Sequence, residues 1–270
     1  MRVIRFLDNA GCTCCGFQHD DETVTLLDDD LYDTPRDTGT AATVAKLLAP
    51  LAPTCIIGIG LNYARHAREG NMSIPKYPVA FMKPSTALQN PGDPIMLPRH
   101  LRSDQVDYEG ELAVVIGRSC RNVTPENALD YVLGYTCAND VSARDWQLQW
   151  GGSQWCRGKS FDTFAPLGPC LVTADQIPDP NHLKITTVLN KQVMQDWGTD
   201  DMIFDVRHLI AFLSGSTTLA AGTVILTGTP HGIGAARKPP VFLKAGDQIT
   251  VTISGIGSLT NRVVEEPVGA

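Results

Sequence analysis

The segment that decides the fold is Asp107-Tyr108-Glu109-Gly110-Glu111-Leu112-Ala113-Val114-Val115-Ile116. Its glutamates flank a glycine and lead into a run of apolar residues, which is typical of a strand that enters a core. Because alternate side chains of a strand share a face, Glu109 and Glu111 are predicted to project side by side. Two like charges held together are costly unless a cation neutralises them. The segment therefore favours a metal site, and the alternative is a solvent-facing acidic strand edge.

A third carboxylate comes from Asp140, which follows Asn139 shortly after a predicted strand at Val132–Cys137. Taken alone, an aspartate in this position is more often a turn or N-cap residue. Together with Glu109 and Glu111 it completes a set of oxygen ligands. Such a set suits one Mg²⁺ or Mn²⁺ ion per subunit, with waters or substrate oxygens in the remaining positions. Zinc would normally recruit histidine or cysteine.

A histidine and a glutamate are predicted to lie on one face of a short helix at Asn62–Glu69. His66 and Glu69 are three residues apart, so their side chains can meet. A carboxylate that orients an imidazole makes it a better base, which favours a catalytic pair. The alternative is a surface helix with a weak His–Glu contact.

Two lysines and one loop add candidate substrate contacts. Lys159 lies in an apolar loop rich in proline and glycine, and Lys83 precedes Pro84. Each is either an exposed charge or a buried cation that needs an anionic partner. In the glycine-rich loop 226–234, Thr229 is predicted to approach a ligand, whereas a phosphate cradle is not favoured because no Gly-Lys-Ser/Thr follows. His231 in that loop receives no role.

The cysteines Cys12, Cys14 and Cys15 form a local cluster whose role the sequence leaves open. A structural zinc needs four ligands, and no second Cys/His pair lies at zinc-finger spacing. We therefore expect reduced thiols in an N-terminal hairpin of a cytosolic protein.

The first fifty residues look like a unit of their own. They contain two predicted strands and one predicted helix: Val3–Leu7, Val24–Leu27 and Thr43–Leu48. Prolines at positions 50 and 53 then interrupt the chain, which indicates a boundary there. We predict a small N-terminal α/β domain at 1–52 and a catalytic domain at 53–270.

The catalytic domain is predicted to be α+β and mainly β. Short apolar runs rich in β-branched residues, separated by Gly and Pro, predict its strands: Cys55–Ile59, Pro78–Met82, Leu112–Ile116, Val132–Cys137, Cys170–Thr173, Ile185–Leu189, Val224–Thr227 and Ile249–Ile253. Helical patterns are fewer: Asn62–Glu69, Pro125–Leu129 and Val206–Leu213. The regular strand–helix alternation of a doubly wound fold is missing.

Charge and hydropathy exclude several classes of partner. The 270 residues carry a net charge of −7 with a pI near 5.3, which argues against nucleic acid because phosphate binding needs a surplus of Lys and Arg. No apolar run approaches the length of a membrane-spanning helix, and the first residues do not read as a secretory signal. We expect a cytoplasmic protein. A small anionic substrate is still allowed, since a pocket can be locally positive.

From about residue 55 to residue 264 the chain resembles the fumarylacetoacetate hydrolase family. The resemblance rests on several separate motifs in the expected order: Gly-Leu-Asn-Tyr-x-x-His-x-x-Glu at 60–69, Lys83-Pro-Ser85, Asp107-Tyr-Glu-Gly-Glu111, Asn139-Asp-Val-Ser-Ala-Arg-Asp145, Lys159-Ser-Phe-Asp162, Thr227-Gly-Thr-Pro-x-Gly-x-Gly234, Leu243-Lys-Ala-Gly-Asp247 and Gly255-Ile-Gly-Ser-Leu-Thr-Asn-Arg262. A single motif would be weak evidence, whereas this many in order are specific.

The resemblance implies a rolled mixed β-sheet that buries the metal, a small variable N-terminal domain and a homodimer. It implies that Glu109, Glu111 and Asp140 hold the metal, that His66 and Glu69 activate water and that Lys159 stabilises developing charge. It also implies substrate contacts at four positions: Lys83, Arg144, Gln147 and Thr229.

The leading hypothesis is hydrolysis of a carbon–carbon bond in a short dioxo acid of the acylpyruvate or fumarylpyruvate type. It is motivated by the intact pair of His66 and Glu69, which could activate a water. Decarboxylation of an oxaloacetate-like acid comes second, and isomerisation or hydration of a 2-hydroxy-diene-dioate comes third. A binding module without catalysis is not favoured, because no predicted ligand or dyad residue is missing.

Overall fold

Strands outnumber helices in the fold, which the computed structural model describes at residues 1–28, 31–32 and 35–267. Within those residues the strands are β1 (Arg2–Leu7), β2 (Thr13–Gln18), β3 (Val24–Asp28), β4 (Arg36–Ala41), β5 (Lys46–Leu48), β6 (Cys55–Gly60), β7 (Val79–Lys83), β8 (Leu88–Gln89), β9 (Ile95–Leu97), β10 (Val106–Asp107), β11 (Gly110–Ile116), β12 (Val132–Asn139), β13 (Ser142–Ala143), β14 (Ala165–Thr173), β15 (Lys184–Leu189), β16 (Gln192–Gly198), β17 (Thr223–Leu226), β18 (Gln248–Ile253) and β19 (Gly257–Glu265).

The helices are few and short, as the sequence predicts. They are α1 (Ala64–Glu69), α2 (Cys156–Lys159) and α3 (Val206–Ser214). Short 3₁₀ segments lie at Ser85–Ala87, Pro125–Tyr131, Ala174–Gln176, Thr199–Asp201 and Gly234–Ala236, and a π-helical turn lies at Trp146–Trp150. In the described residues no helix has both the length and the apolar character to cross a bilayer.

The strands form one large mixed sheet and one smaller sheet that packs on it. The large sheet has the order β4-β3-β2-β1-β14-β12-β11-β17-β6-β7, with β5 beside β1 and β8 beside β14. The smaller sheet has the order β16-β15-β18-β19-β9, and its strands β15 and β18 pack against β11 and β12. A separate pair, β10 and β13, lies beside the site described below. The fold is therefore α+β and mainly β, as predicted.

Strand β11 is the centre of this arrangement because both of its faces are buried. Leu112, Val114 and Ile116 belong to the core between the two sheets, with Val251 among their partners. The alternate residues Ala113 and Val115 belong to the core on the opposite face of the large sheet. The uninterrupted apolar run after Glu111 is the pattern expected of a strand covered on both sides.

The N-terminal residues continue the large sheet through β1, which pairs antiparallel with β14 so that Val3 lies opposite Leu171. The predicted helix at Thr43–Leu48 is wrong. Residues 46–48 instead form strand β5, which pairs with β1. So short a segment cannot repay helix nucleation, whereas the open edge of β1 offers it hydrogen bonds. The N-terminal unit is thus β rather than α/β over its described residues, and the domain boundary near residue 52 stays a prediction.

Candidate active site

The predicted acidic trio converges at the junction of β11 and β12. These strands pair antiparallel with Gly110 opposite Asn139, so the start of β11 lies beside the end of β12. The Asp140 N–H donates to the Glu109 carbonyl oxygen at 2.8 Å. One carboxylate oxygen from each of Glu109, Glu111 and Asp140 lies within 4.8 Å of the others, and all three side chains are buried. Among the described residues this is the one cluster of His, Cys, Asp and Glu able to hold a metal ion.

Three buried cations surround two of these carboxylates. Lys159 donates from Nζ to Glu109 Oε2 at 2.7 Å and to Asp140 Oδ2 at 2.6 Å. Lys83 donates to Asp140 Oδ1 at 2.6 Å from the far side. Arg144 pairs with Glu109 Oε1 at 2.7 Å and with Asp107 Oδ2 at 2.8 Å.

The same contacts explain the direction of each pKa shift. Burial disfavours the charged form of Glu109, but Arg144 and Lys159 outweigh it and hold the pKa of that carboxyl well below its usual range. Burial also opposes the charge of Lys159, and Asp140 with Glu109 overcomes it, so the pKa of Lys159 rises. For Lys83 burial dominates over the attraction of Asp140, and its pKa falls to about 8.

Glu111 is the exception among the three carboxylates. Its Oε2 accepts a hydrogen bond from the Gly228 N–H at 2.7 Å, and within the described part of the chain it forms no ion pair with Lys or Arg. Burial, followed by the charges of Asp140 and Glu109, raises the pKa of Glu111 well above its usual value. A buried acid that lacks a counter-charge beside two other carboxylates fits a divalent cation. The all-oxygen donor set fits Mg²⁺ or Mn²⁺ better than zinc.

The two residues predicted to pair on α1 face each other, but Glu69 makes its hydrogen bonds to Gly232 and not to His66. His66 Nδ1 lies 3.7 Å from Glu69 Oε2, which is an ion-pair distance and longer than a hydrogen bond. Both oxygens of Glu69 accept from the Gly232 N–H, at 3.1 and 2.9 Å. Burial opposes the charge of Glu69, but the contacts with His66 and Gly232 lower its pKa overall. Glu69 is therefore fixed by the loop after β17 while it faces His66.

Gly232 must be glycine for this contact to form. Its φ is +100°, and an added Cβ would lie 2.2 Å from the carbonyl oxygen of Met194. Such a conformation and so close an approach of backbones exclude a side chain. The glycine-rich loop thus presents its N–H to Glu69.

The other predicted substrate contacts occupy distinct places. Arg144 donates from Nη1 to Gln147 Oε1 at 2.9 Å, so the two side chains hold each other in place. The Thr229 hydroxyl donates to the Gly110 carbonyl oxygen at 3.0 Å and accepts from Gln195 Nε2 at 2.7 Å. Lys83 is buried behind Asp140.

One cavity of about 550 Å³ connects these groups, and we call it the site cavity. It is lined by eight of the ten predicted site residues: His66, Glu69, Glu109, Glu111, Arg144, Gln147, Lys159 and Thr229. Asp140 and Lys83 lie behind this lining. The remaining wall is largely apolar and includes Ile59, Leu61, Met72, Phe81, Leu148, Trp155 and Ile233.

Several supporting residues were missed by the sequence analysis. Asp107 accepts from the N–H groups of Gly234 and Ala235 in addition to Arg144. Gln195 accepts from the Gly110 N–H at 2.9 Å, which fixes the backbone between the two glutamates. The motif around residue 107 contains Asp107, but no local signal distinguishes Gln195.

A second missed group holds the outer side of α1. The Arg65 guanidinium lies 3.8 Å from the centre of the Trp197 ring, and the His231 ring meets the same ring edge-on at 5.0 Å. The Arg65 N–H donates to Asp201 Oδ2 at 3.0 Å. His231, which the sequence left without a role, therefore packs in a cluster that fixes the helix carrying His66.

Among the described residues, Cys12, Cys14 and Cys15 do not form a group able to hold a metal ion. Cys14 and Cys15 lie on β2 and Cys12 just before it, and all eight cysteines are free. Burial raises the pKa of the Cys15 thiol, so it is less reactive than an exposed cysteine.

The sequence is similar to a family model and to a named relative. A family model described as fumarylacetoacetate hydrolase C-terminal matches residues 55–264. The mitochondrial oxaloacetate tautomerase of Xenopus laevis is 50% identical over 220 residues, which covers 81% of this chain and 68% of that protein.

Two solved structures are similar over nearly the full length. The 5-carboxymethyl-2-hydroxymuconate delta-isomerase of Mycobacterium smegmatis has a TM-score of 0.85 at 39% identity and covers 98% of this chain and 100% of that chain. The fumarylacetoacetate hydrolase of Exiguobacterium antarcticum has a TM-score of 0.84 at 38% identity, with 98% and 100% covered. With the family model matched over most of its length, this chain belongs to the fumarylacetoacetate hydrolase family of enzymes.

Proposed function

We propose that this enzyme catalyses the keto–enol tautomerisation of a short 2-oxo dicarboxylic acid of the oxaloacetate type. The observation that carries the proposal is the presence of His66, a group able to move a proton, in the same cavity as buried Glu109 and Glu111. The name of the Xenopus relative and the isomerase name of the Mycobacterium structure support a reaction that moves a proton and breaks no carbon–carbon bond.

Glu109, Glu111 and Asp140 are the residues that would hold a divalent metal ion. We propose Mg²⁺ or Mn²⁺ because every donor is a carboxylate oxygen. When bound, such an ion supplies Lewis acidity toward the 2-oxo-carboxylate end of the substrate.

His66 is the proposed proton carrier. Tautomerisation removes a proton from C3 of the keto acid, and the electron pair left behind forms the C2–C3 double bond. The carbonyl π pair moves onto the 2-oxo oxygen, which takes up a proton. Since Nδ1 of His66 faces Glu69, Nε2 is the atom that exchanges the proton with the substrate. Glu69 is proposed to orient the imidazole from its Nδ1 side, and Gly232 keeps Glu69 in place.

The buried cations are proposed to balance negative charge as it moves onto the oxygen. Lys159 and Arg144 line the site cavity and bring fixed positive charge into surroundings that exclude much of the water. Thr229 and Gln147 are proposed to contact the substrate from the same wall. For Lys83 we propose a supporting role, because its Nζ meets Asp140 away from the cavity.

Hydrolysis of an acylpyruvate is the second candidate. The size of the site cavity, about 550 Å³, and its apolar wall favour a substrate with a larger acyl end than oxaloacetate has. His66 and Glu69 would then activate a water instead of exchanging a proton with carbon. Decarboxylation of oxaloacetate remains an alternative on the same scaffold.

Assembly and location belong to the same proposal. We propose a homodimer and a cytoplasmic protein, as expected from the sequence. Light scattering tests the first expectation: a dimer has twice the 29.2 kDa of one chain.

The proposed reaction is tested with purified protein loaded with Mg²⁺ or Mn²⁺. The decay of freshly dissolved enol-oxaloacetate is followed by ultraviolet absorbance, with pyruvate release from oxaloacetate and from acetylpyruvate measured in parallel. We expect accelerated enol decay without matching pyruvate release, and loss of the acceleration with a chelator. Pyruvate release as fast as enol decay would instead favour decarboxylation or hydrolysis and would overturn the assignment.

A further inference from the structure

Arg237 is a cation that lines the site cavity beside the glycine-rich loop. Arg144 and Lys159 also line this cavity and are both paired with carboxylates. Arg237 forms no ion pair with any described residue, and its Nε is buried without a hydrogen-bond acceptor. Its Nη2 donates to the Met194 carbonyl oxygen, so part of the guanidinium is used and Nε is left to bind a ligand.

The neighbouring groups do not neutralise this charge. The nearest ionisable group on this side is the Tyr108 phenol, which lies within reach of the guanidinium. The Tyr108 hydroxyl donates to the Gly232 carbonyl oxygen at 3.0 Å. Arg237 is therefore a cation without an ion-pair partner among the described residues, and it lies beside the loop that holds Glu69.

The backbone of Arg237 is fixed relative to the floor of the site. Its N–H donates to the Gly234 carbonyl oxygen at 3.2 Å, and the Gly234 N–H donates to Asp107 Oδ1 at 2.8 Å. A Cβ at Gly234 would lie 1.9 Å from the carbonyl oxygen of Val241, so this turn packs tightly against the backbone of Val241. Since Asp107 also holds Arg144, both arginines are tied to one buried carboxylate.

The wall of the cavity is largely apolar, so a carboxylate bound there depends on a cation. Ile59, Phe81 and Ile233 offer no hydrogen bonds from their side chains to a carboxylate that has lost its water, and Trp155 offers only its one neutral indole N–H. The protein as a whole is acidic, with a net charge of −7, so it does not attract anions in general. A second carboxylate on the substrate needs a specific cation in the cavity.

We propose that Arg237 is a specificity-determining residue that binds the distal carboxylate of a dicarboxylic 2-oxo acid. This inference rests on the proposed function, in which the 2-oxo-carboxylate end of the substrate faces Glu109 and Glu111. A guanidinium binds a carboxylate through two parallel hydrogen bonds, which fixes orientation as well as charge. Lys238 also lines the rim, but it is exposed, and solvent screens its charge.

The test measures binding separately from turnover. The metal-loaded protein is titrated by calorimetry with 3,3-difluoro-oxaloacetate, which cannot enolise, and with its 4-methyl ester, which lacks the distal charge. Wild type, Arg237→Gln and Arg237→Lys are compared. Arg68→Gln is the matched control, because it removes an exposed arginine from α1 outside the cavity lining.

We expect the wild type to bind the diacid about 10- to 100-fold more tightly than the ester. Arg237→Gln should abolish this preference and leave ester affinity within about threefold, which also shows that the variant is folded. Arg237→Lys should keep part of the preference, and Arg68→Gln all of it. An unchanged preference in Arg237→Gln overturns the inference. Because the probe cannot enolise, this outcome is distinct from failure of the tautomerase assay.

Discussion

The Nζ atom of Lys83 lies 2.6 Å from Oδ1 of Asp140, and neither side chain is exposed by more than 1%. A lysine buried this deeply is stable only because the carboxylate meets it, and the carboxylate is in turn held by Lys159. The site is thus a buried network in which each charge depends on the next.

Replacing Lys83 with methionine should destabilise the metal-free protein by about 3 kcal/mol, because Asp140 stays buried with one cation fewer. Added Mg²⁺ or Mn²⁺ should recover a larger share of stability in Lys83→Met than in the wild type, since the ion supplies the missing charge. Thermal unfolding with and without metal measures both effects.

Lys46→Met is the matched control for that variant. Lys46 pairs with Asp93 at 2.8 Å, but 46% of its side chain is exposed, so its loss should cost less than about 1 kcal/mol. Equal destabilisation of the two variants would contradict a buried network at Asp140.

His66→Ala should lower turnover about 10²- to 10⁴-fold and leave metal affinity nearly unchanged, because His66 moves a proton and binds no metal. Glu69→Gln should cost less, since an amide oxygen can still accept from the Gly232 N–H. Steady-state kinetics and metal titration on the same preparations separate the two properties.

His182→Ala serves as the control for the histidine. His182 pairs at 2.6 Å with Asp179, a carboxylate three residues away, as His66 does with Glu69. However, 74% of the His182 side chain is exposed and it lies outside the site cavity. Turnover should not change. A His66→Ala enzyme that is as active as the wild type would remove His66 from the mechanism.

Trp197→Ala should loosen α1, because it removes the ring on which Arg65 and His231 pack. A cation–π contact of this kind is worth about 1 kcal/mol, so amide hydrogen exchange in α1 should accelerate by several-fold to about tenfold. The kcat should fall with it, while metal affinity should persist. Trp197→Phe should restore most of the protection.

The control for Trp197 is Trp150→Ala, which removes a largely exposed indole that packs on Trp146. It should leave exchange in α1 unchanged. If amide hydrogen exchange in α1 is equally slow in Trp197→Ala and Trp150→Ala, the Arg65 cluster does not position His66.

The sequence was sufficient where a local pattern carried the information. Alternation along 109–116 predicted that Glu109 and Glu111 share a face, and the apolar run predicted a buried strand. The order of the family motifs then indicated which further side chains lie near Glu109, Glu111 and Asp140.

Contacts between residues far apart in the sequence could not be predicted from local patterns. Glu69 and Gly232 are 163 residues apart, and Gln195 reaches Gly110 across 85 residues, with no periodic signal linking them. The helix expected at Thr43–Leu48 fails for the same reason, because the edge of β1 decides its conformation. The charge balance that leaves Glu111 without a cation likewise emerges only from the folded arrangement.

The most direct test of the central claim is a calorimetric titration of Mn²⁺ into metal-stripped wild type and Glu111→Gln. We predict one ion per chain in the wild type and at least about 100-fold weaker binding in the variant. The metal-free Glu111→Gln protein should be as stable as the wild type or more stable, since a buried carboxylate without a counter-charge is removed. Equal Mn²⁺ affinity in the two proteins would contradict a metal site formed by Glu109, Glu111 and Asp140.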